Sequence, residues 1–172
     1  MAENMNFNTT AGQTVARELL IAYLNTGTAS EPVWSAVGKR VEDSSIELDW
    51  GVESKVDIFG QTWTTGKKAT KTQTFEPCEL DSGDDALVKI WNLAIKDNDV
   101  NALLNQDMLI VHFYAGSNFA ERYESCAVLP TGLGGEGGKS VDMPLEITYG
   151  GKRTTGTATN EGGVITFTEV SE

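Results

Sequence analysis

The segment "TGLGGEGGKS", residues 131–140, comes closest to a catalytic motif, because it ends in the Gly-Lys-Ser of a phosphate-binding P-loop. In a P-loop four residues separate a first glycine from that tripeptide, so that successive backbone N–H groups wrap the phosphates. Leu133 occupies this position here. The lysine of a P-loop also opens a helix, whereas Lys139 precedes an alternating apolar pattern over 141–149 that is typical of a strand. The sequence therefore predicts a glycine-rich loop between two strands, without nucleotide affinity.

Other chemistry-bearing residues are too few or wrongly spaced for catalysis. His112 is the only histidine, so a nucleophile–base triad would depend on it alone. It lies in the apolar stretch "LIVHFY", where we expect a core or interface histidine. With Cys78 and Cys126 distant in sequence, the ligands for a zinc site are too few. The acidic stretch 81–85 lacks the calcium-loop spacing and is interpreted as a helix cap. We predict no enzyme, no cofactor and no metal.

The composition narrows the class of protein further. The chain has 172 residues and a net charge of -12, which predicts one domain and disfavours binding to nucleic-acid phosphates. Residues 1–13 lack the basic and apolar regions of a signal peptide. No apolar run reaches the length that crosses a membrane, so we expect no membrane insertion. Two cysteines build no disulfide framework, and we expect a reduced, intracellular origin.

The chain divides into a polar, flexible arm, residues 1–13, which we expect to become ordered only on a partner, and a single domain, residues 14–172. Within the domain, alternating apolar residues predict many strands. Segment 16–24 fits a helix or a strand buried on both faces, and we favour the strand. One helix is predicted at about 84–97, because Ser82 opens a sequence like a capping box and an apolar stripe follows. The stripe consists of Leu87, Ile90, Trp91, Ala94 and Ile95.

Residues 55–77 predict a long hairpin that projects from the domain. We expect its first strand to begin at 56–58, its turn at Gly66 and its second strand at 69–75. Threonine and lysine dominate the second strand, so the hairpin is either solvated or in contact with another subunit. Together these elements predict a mainly β fold: a β-sandwich or open barrel with one flanking α-helix, a long projecting hairpin and an N-terminal arm.

The sequence of residues 33–77 resembles that of the major tail tube proteins of long-tailed bacteriophages, above all those with non-contractile tails. A Trp-x-x-Val-Gly segment ends an apolar strand at 34–38, and a further strand follows at 46–50. An Asp-Ile-x-Gly step at 57–60 then precedes a Thr/Lys-rich strand that ends in Phe-Glu-Pro at 75–77. The helix and the C-terminal strands come in the order of that family.

The resemblance implies a structural virion protein with a small β-sandwich or barrel fold and a helix on its flank. In that family, hexameric rings stack into a hollow tail tube, and arms and a long hairpin reach the neighbouring ring. The implied partners are the chain itself, the tape measure protein, the tail terminator and the baseplate or distal tail proteins. The protein would be made in the host bacterial cytoplasm. During genome ejection, DNA would slide along an acidic wall without specific binding.

Charge suggests how rings could stack. Lysines cluster on the predicted hairpin, and carboxylates cluster before and at the start of the helix. A basic projection and an acidic shoulder allow a head-to-tail interface that repeats indefinitely. The suspected inter-ring contacts are Lys67, Lys68, Lys71, Asp81, Asp84 and Asp85.

Two other classes of function remain open at this point. The first is a non-enzymatic β-sandwich recognition module, binding sugar or protein, of a phage or secreted particle. Trp34, Trp50 and Trp63 would allow sugar stacking, although core or subunit contact is the commoner role of tryptophans in strands. The second is an acidic hydrolase, for which no pair of carboxylates stands out.

Overall fold

The computed structural model of the chain describes residues 4–171. Along these residues, eleven strands, two short α-helices, one 3-10 turn and one π-helical turn follow one another. The strands are β1 (Leu20–Asn25), β2 (Trp34–Val37), β3 (Ile46–Asp49), β4 (Glu53–Val56), β5 (Thr62–Thr65), β6 (Thr70–Phe75), β7 (Gln106–His112), β8 (Phe119–Pro130), β9 (Leu145–Tyr149), β10 (Arg153–Glu161) and β11 (Val164–Glu169). The others are the 3-10 turn Arg17–Leu19, α1 (Asp85–Trp91), the π-helical turn Asn92–Lys96 and α2 (Val100–Leu103).

Strand β8 belongs to two antiparallel sheets and joins them. Its residues 119–123 pair with β7 on one side and β10 on the other, whereas residues 127–130 pair with β9. The first sheet has the order β2-β1-β7-β8-β10-β11, and the second has the order β8-β9-β6-β3. The first sheet curls until β11 approaches β2, which gives a half-barrel. The predicted mainly β fold with a flanking helix is confirmed.

Two apolar clusters hold the sheets in place. One lies on the concave side of the curled sheet and includes Tyr23, Trp34, Leu109, Val111, Ala120, Ala158 and Ile165. The larger one includes residues of both sheets together with Ala86, Leu87 and Ile90 of α1. Burying a leucine, isoleucine or valine side chain contributes about 1.5–3 kcal/mol. The helix is thus fixed by its apolar face, and segment 16–24 is mainly strand, as favoured from the sequence.

The helix begins close to the predicted position 84, but the predicted cap at Ser82 is wrong. Asp84 is the N-cap, because its side chain accepts a hydrogen bond from Leu87 N–H at 3.2 Å. Ser82 lies instead in a turn that Asp81 closes by accepting from Gly83 N–H. The predicted apolar stripe also breaks down at its end: Ile95 is exposed, because the π-helical turn changes the periodicity after Trp91.

The predicted hairpin needs a larger correction. Its turn lies at 57–60 instead of Gly66, and the strands of the projecting part are β4 and β5. The segment expected as the second hairpin strand is β6, which lies inside the second sheet between β9 and β3. The β3–β6 ladder continues into the β4–β5 ladder through a hydrogen bond from Lys67 N–H to Trp50 O at 2.9 Å.

The predicted arm falls partly outside the described residues, since 1–3 are not among them. Residues 5–8 contact the turn between β7 and β8. Asn8 N–H donates to Tyr114 O at 2.7 Å, and the Phe7 ring packs edge-on against the Tyr114 ring. This part of the arm is therefore attached to the domain. Within the described residues, the helices are too short to cross a membrane.

Candidate assembly surfaces

Within residues 4–171, the projecting hairpin carries the most exposed large apolar side chains. All residues of β4 and β5 are exposed, and within residues 4–171 these strands pair only with each other. Ile58 is 95% and Phe59 is 81% exposed at the tip. Asp57 shapes this tip, because one of its carboxylate oxygens accepts hydrogen bonds from Phe59 N–H and Gln61 N–H, both at 2.9 Å. A fixed turn thus holds two large apolar side chains away from the domain.

The two faces of the hairpin add further exposed apolar residues and charge. Trp63 is half exposed, and the Lys55 ammonium lies 5.6 Å from its ring centroid. Val52 and Val56 are each 68% exposed. Contiguous exposed apolar surface on a projection is typical of a protein–protein contact. Sequence reasoning missed these residues, although Asp-x-x-Gly at 57–60 is a recognisable turn signal.

The structure separates the three predicted lysines. Lys67 and Lys68 lie in the exposed connection between β5 and β6. Lys71 lies in β6, and its ammonium donates to Glu121 Oε1 at 2.8 Å. Only 21% of the Lys71 side chain is exposed. Lys71 therefore joins the two sheets within one subunit, and its predicted place on the projecting hairpin is wrong.

Glu121 is the centre of a buried polar network. Its side chain is 3% exposed, yet it accepts hydrogen bonds from donors on three other strands. Besides Lys71 on β6, these are His112 Nε2 on β7 at 2.9 Å and Arg153 Nε on β10 at 2.8 Å. Tyr123 donates to the same carboxylate at 3.2 Å. His112 is thus a satisfied structural histidine, as expected, with its Nδ1 at 2.9 Å from the Tyr114 hydroxyl.

The electrostatics of this network favour an ionised carboxylate. Burial by itself would raise the pKa of Glu121, but the hydrogen bonds from His112, Lys71 and Arg153 outweigh it and hold the pKa well below its usual range. The ionised carboxylate of Glu121 therefore holds β6, β7 and β10 to β8 through its hydrogen bonds. A group in this state does not serve as a proton donor or acceptor near neutral pH.

The three predicted acidic contacts also have separate local roles. Asp81 lies 3.2 Å from Arg40 in an exposed ion pair. Asp84 caps α1 and is only 2% exposed, and this burial raises the pKa of its carboxyl group. Asp85 is exposed in the first turn of α1. Asp84 is therefore not an accessible charge, whereas a contact role for Asp81 and Asp85 stays a prediction.

The segments considered for chemistry have structural roles. Residues 131–140 connect β8 to β9, as predicted, and Lys139 forms an exposed ion pair with Glu136 at 2.6 Å. Cys78 and Cys126 are free and buried, and burial raises their pKa values to about 11 and about 12. Within residues 4–171, no group of three or more His, Cys, Asp or Glu side chains could hold a metal ion.

Comparison with known proteins shows what fold this is. No family model matches the sequence, and no curated protein matches it. Among solved structures, the tube-terminating cap of an anti-feeding prophage aligns over 88% of this chain and 96% of its own, with 12% identity and a TM-score of 0.50. The sheath/tube terminator of an extracellular contractile injection system, PVC, aligns over 85% of this chain and 99% of its own, with 8% identity and a TM-score of 0.50.

At these identities the likeness concerns the fold. The chain has a fold similar to that of tube-terminating proteins, and it spans almost the full length of both. The resemblance to tail tube proteins noted in the sequence is supported to this extent. The likeness does not single out a tube subunit of a non-contractile phage tail.

Proposed function

We propose that this chain is a structural protein that assembles with copies of itself into stacked hexameric rings, forming the tail tube of a phage or a related injection particle. The observation that carries the proposal is the projecting hairpin with its exposed apolar tip. Burying a side chain such as Ile58 or Phe59 contributes about 1.5–3 kcal/mol. A subunit that leaves both in water therefore gains stability when another molecule covers them.

Two further features support the same role. The similar solved structures are described as a tube-terminating cap and a sheath/tube terminator, and this chain covers nearly all of each. Among the described residues, the charged side chains around Glu121 are used for hydrogen bonds between strands of one subunit. We therefore infer a non-enzymatic, structural role.

The charge of the chain fits a conduit. A net charge of -12 per subunit gives an assembled wall that repels phosphate groups, so DNA passes without sticking. Genome ejection through the lumen is part of the proposal. So are location in the virion tail and contacts with a tape measure protein, a tail terminator and baseplate or distal tail proteins.

A terminator at the end of a tube is the second candidate. It is favoured by the descriptions of the two similar structures, both of which are terminators. In this second candidate, we propose that the chain assembles into a single ring at the end of a tube and does not stack further. The two candidates therefore differ in whether the purified chain stacks into long tubes or stops at single rings.

Sedimentation velocity over a range of concentrations, combined with negative-stain electron microscopy, tests the proposal on the purified full chain. Tubes with a central channel are the expected result. Closed rings that do not stack would favour the terminator. A monomer at every concentration would contradict both and favour the recognition module.

A further inference from the structure

The hairpin tip and the start of α1 lie at opposite ends of the second sheet. Strand β6 begins at Thr70, next to the base of the hairpin, and ends at Phe75. At about 3.3 Å per residue this strand spans about 17 Å. The chain then continues through 76–79 into the segment Leu80–Ser82, which precedes α1. The hairpin extends beyond the opposite end of β6, through the β4–β5 ladder.

An apolar groove lies at the α1 end. It has a volume of about 230 Å³ and is lined by Leu80, Asp81, Ser82, Val88 and Trp91. Val88 is 39% exposed in its wall, and Leu80 and Trp91 are partly buried against the core. The groove is therefore an open apolar surface on the helix that the core does not fill.

The charges around the tip and the groove are complementary. Segment 51–68 carries three lysines and two carboxylates, whereas segment 76–85 carries five carboxylates and no lysine or arginine. Lys39 and Arg40 contact the second segment through Gly83 O and Asp81 and offset part of its charge. Three negative charges remain, and the exposed Asp85 is one of them. Such complementarity steers association and sets its register.

We infer that the groove between Leu80 and α1 receives the Ile58–Phe59 tip of a second copy of this chain. This inference rests on the proposed function, because it names the receiving surface of the proposed stacking contact. The tip and the groove are different surfaces at opposite ends of one sheet. Their contact is therefore heterologous, and each added copy presents a new tip or a new groove.

A larger cavity fits the tip less well. It lies between the β1–β2 pair and β6, and its lining carries two cations, Arg17 and Lys39, and two carboxylates, Glu18 and Glu42. These charges balance, so the cavity has no net negative charge to attract the lysines of an incoming hairpin. The groove beside α1 has only Asp81 as a charged lining residue, so charge favours this groove.

Site-directed cross-linking between two variants tests the inference. Full-length Phe59→Cys protein is mixed with Val88→Cys protein under assembly conditions and treated with a short bis-maleimide. Cys78 and Cys126 are 1% and 0% exposed, so the introduced thiols react first. Two matched mixtures serve as controls: Phe59→Cys with Val164→Cys, a 67% exposed position on β11, and Phe59→Cys with Glu42→Cys beside the larger cavity.

We expect a cross-linked pair in the Phe59–Val88 mixture at a yield several-fold above both controls. Equal or higher yield with Val164→Cys or Glu42→Cys would overturn the inference. Electron microscopy of the same samples distinguishes a failure of the groove assignment from a failure of the stacking proposal. Tubes without a Phe59–Val88 cross-link would overturn the groove assignment alone. Absence of rings and tubes from the natural chain under the same conditions, with an unfolding curve that shows it folded, would overturn the stacking proposal as well.

Discussion

The Glu121 network and the projecting hairpin place side chains in opposite, unusual environments: a charged group is buried in the first, and apolar groups are exposed in the second. At Glu121, a charged group is buried, and donors from β6, β7 and β10 satisfy it within one subunit. At the hairpin tip, apolar groups are exposed, with Ile58 at 95% and Phe59 at 81%. The first region stabilises the monomer. The second, we propose, contributes only when copies assemble.

The largest expected effect comes from removing the charge of the buried network. Glu121→Gln leaves Lys71 without its ionised partner, and breaking a buried ion pair costs about 3–5 kcal/mol. Because Arg153 is half exposed and remains solvated, we expect a loss at the lower end, about 3 kcal/mol, in the free energy of unfolding measured in urea. Glu124→Gln, exposed on the same strand, is the matched control. Equal stability of both variants would contradict the role of the network.

The pH dependence of this difference sharpens the test. The pKa of Glu121 is lowered in the folded protein, so its contribution is present above the unfolded pKa of about 4.3 and is lost as pH falls through the folded pKa. The stability gap between the natural chain and Glu121→Gln should not shrink from about pH 7 to about pH 5. It should shrink only in more acidic solution. A gap that disappears between those two values would show that Glu121 is not held ionised.

The three lysines of the predicted contact belong to different regions: Lys71 to the Glu121 network, and Lys67 and Lys68 to the exposed connection after the hairpin. Lys71→Glu places a carboxylate beside Glu121, and we expect it to lower the free energy of unfolding by about 2 kcal/mol. The double change Lys67→Glu and Lys68→Glu should shift it by less than about 0.5 kcal/mol, since both side chains are exposed.

The same double change should slow tube growth at low salt. The difference in growth rate should fade as the Debye length drops from about 10 Å at 0.1 M to about 3 Å at 1 M salt. Light scattering follows growth, and chemical unfolding follows stability. Normal growth of the double variant at low salt would contradict charge-guided docking.

The attached arm lies between the two extremes and should give an intermediate change in stability. Phe7 is 61% exposed but packs edge-on against Tyr114, with ring centroids 5.1 Å apart. Aromatic pairs of this kind contribute about 0.5–1.5 kcal/mol. We therefore expect Phe7→Ala to destabilise the chain by about 1 kcal/mol, more than the exposed control Val164→Ala. An effect no larger than that of the control would show that the arm is not attached through this contact.

The fold class could be predicted from the sequence because local periodicity carries it. Alternating residues indicate the strands of the core, and the stripe over Leu87, Ile90 and Trp91 indicates the helix. Each pattern reports only which face of one strand or helix is directed toward the core. They do not say which strands pair, so the double membership of β8 was not predictable.

The position of β6 was not predictable for a related reason. Its threonines and lysine suggest a solvated strand, yet Gln73 is 3% exposed and hydrogen-bonds Ser44 and Tyr149, while Lys71 pairs with Glu121. Polar residues can be buried when partners distant in sequence satisfy them. A single sequence does not show those partners, so Lys71 was assigned to the surface.

A projecting hairpin was predicted, but its turn and its second strand were placed wrongly, so its tip was missed. Ile58 continues the apolar alternation of Val56, which suggests a strand that runs on through position 58. The side chain of Asp57 ends that strand by accepting two backbone hydrogen bonds. Local side-chain capping thus overrode the period-two pattern, and it placed Ile58 and Phe59 at a tip where they are available to another copy.

The most direct test combines stability and assembly in one variant, Ile58→Ser with Phe59→Ser. Both side chains are exposed, so the free energy of unfolding should change by less than about 0.5 kcal/mol. Sedimentation velocity at concentrations where the natural chain forms rings or tubes should then show a folded monomer or isolated rings that do not stack. Val164→Ser, also exposed, should assemble normally. Tubes of normal length from the Ile58→Ser, Phe59→Ser double variant would contradict the proposal that the hairpin tip drives stacking.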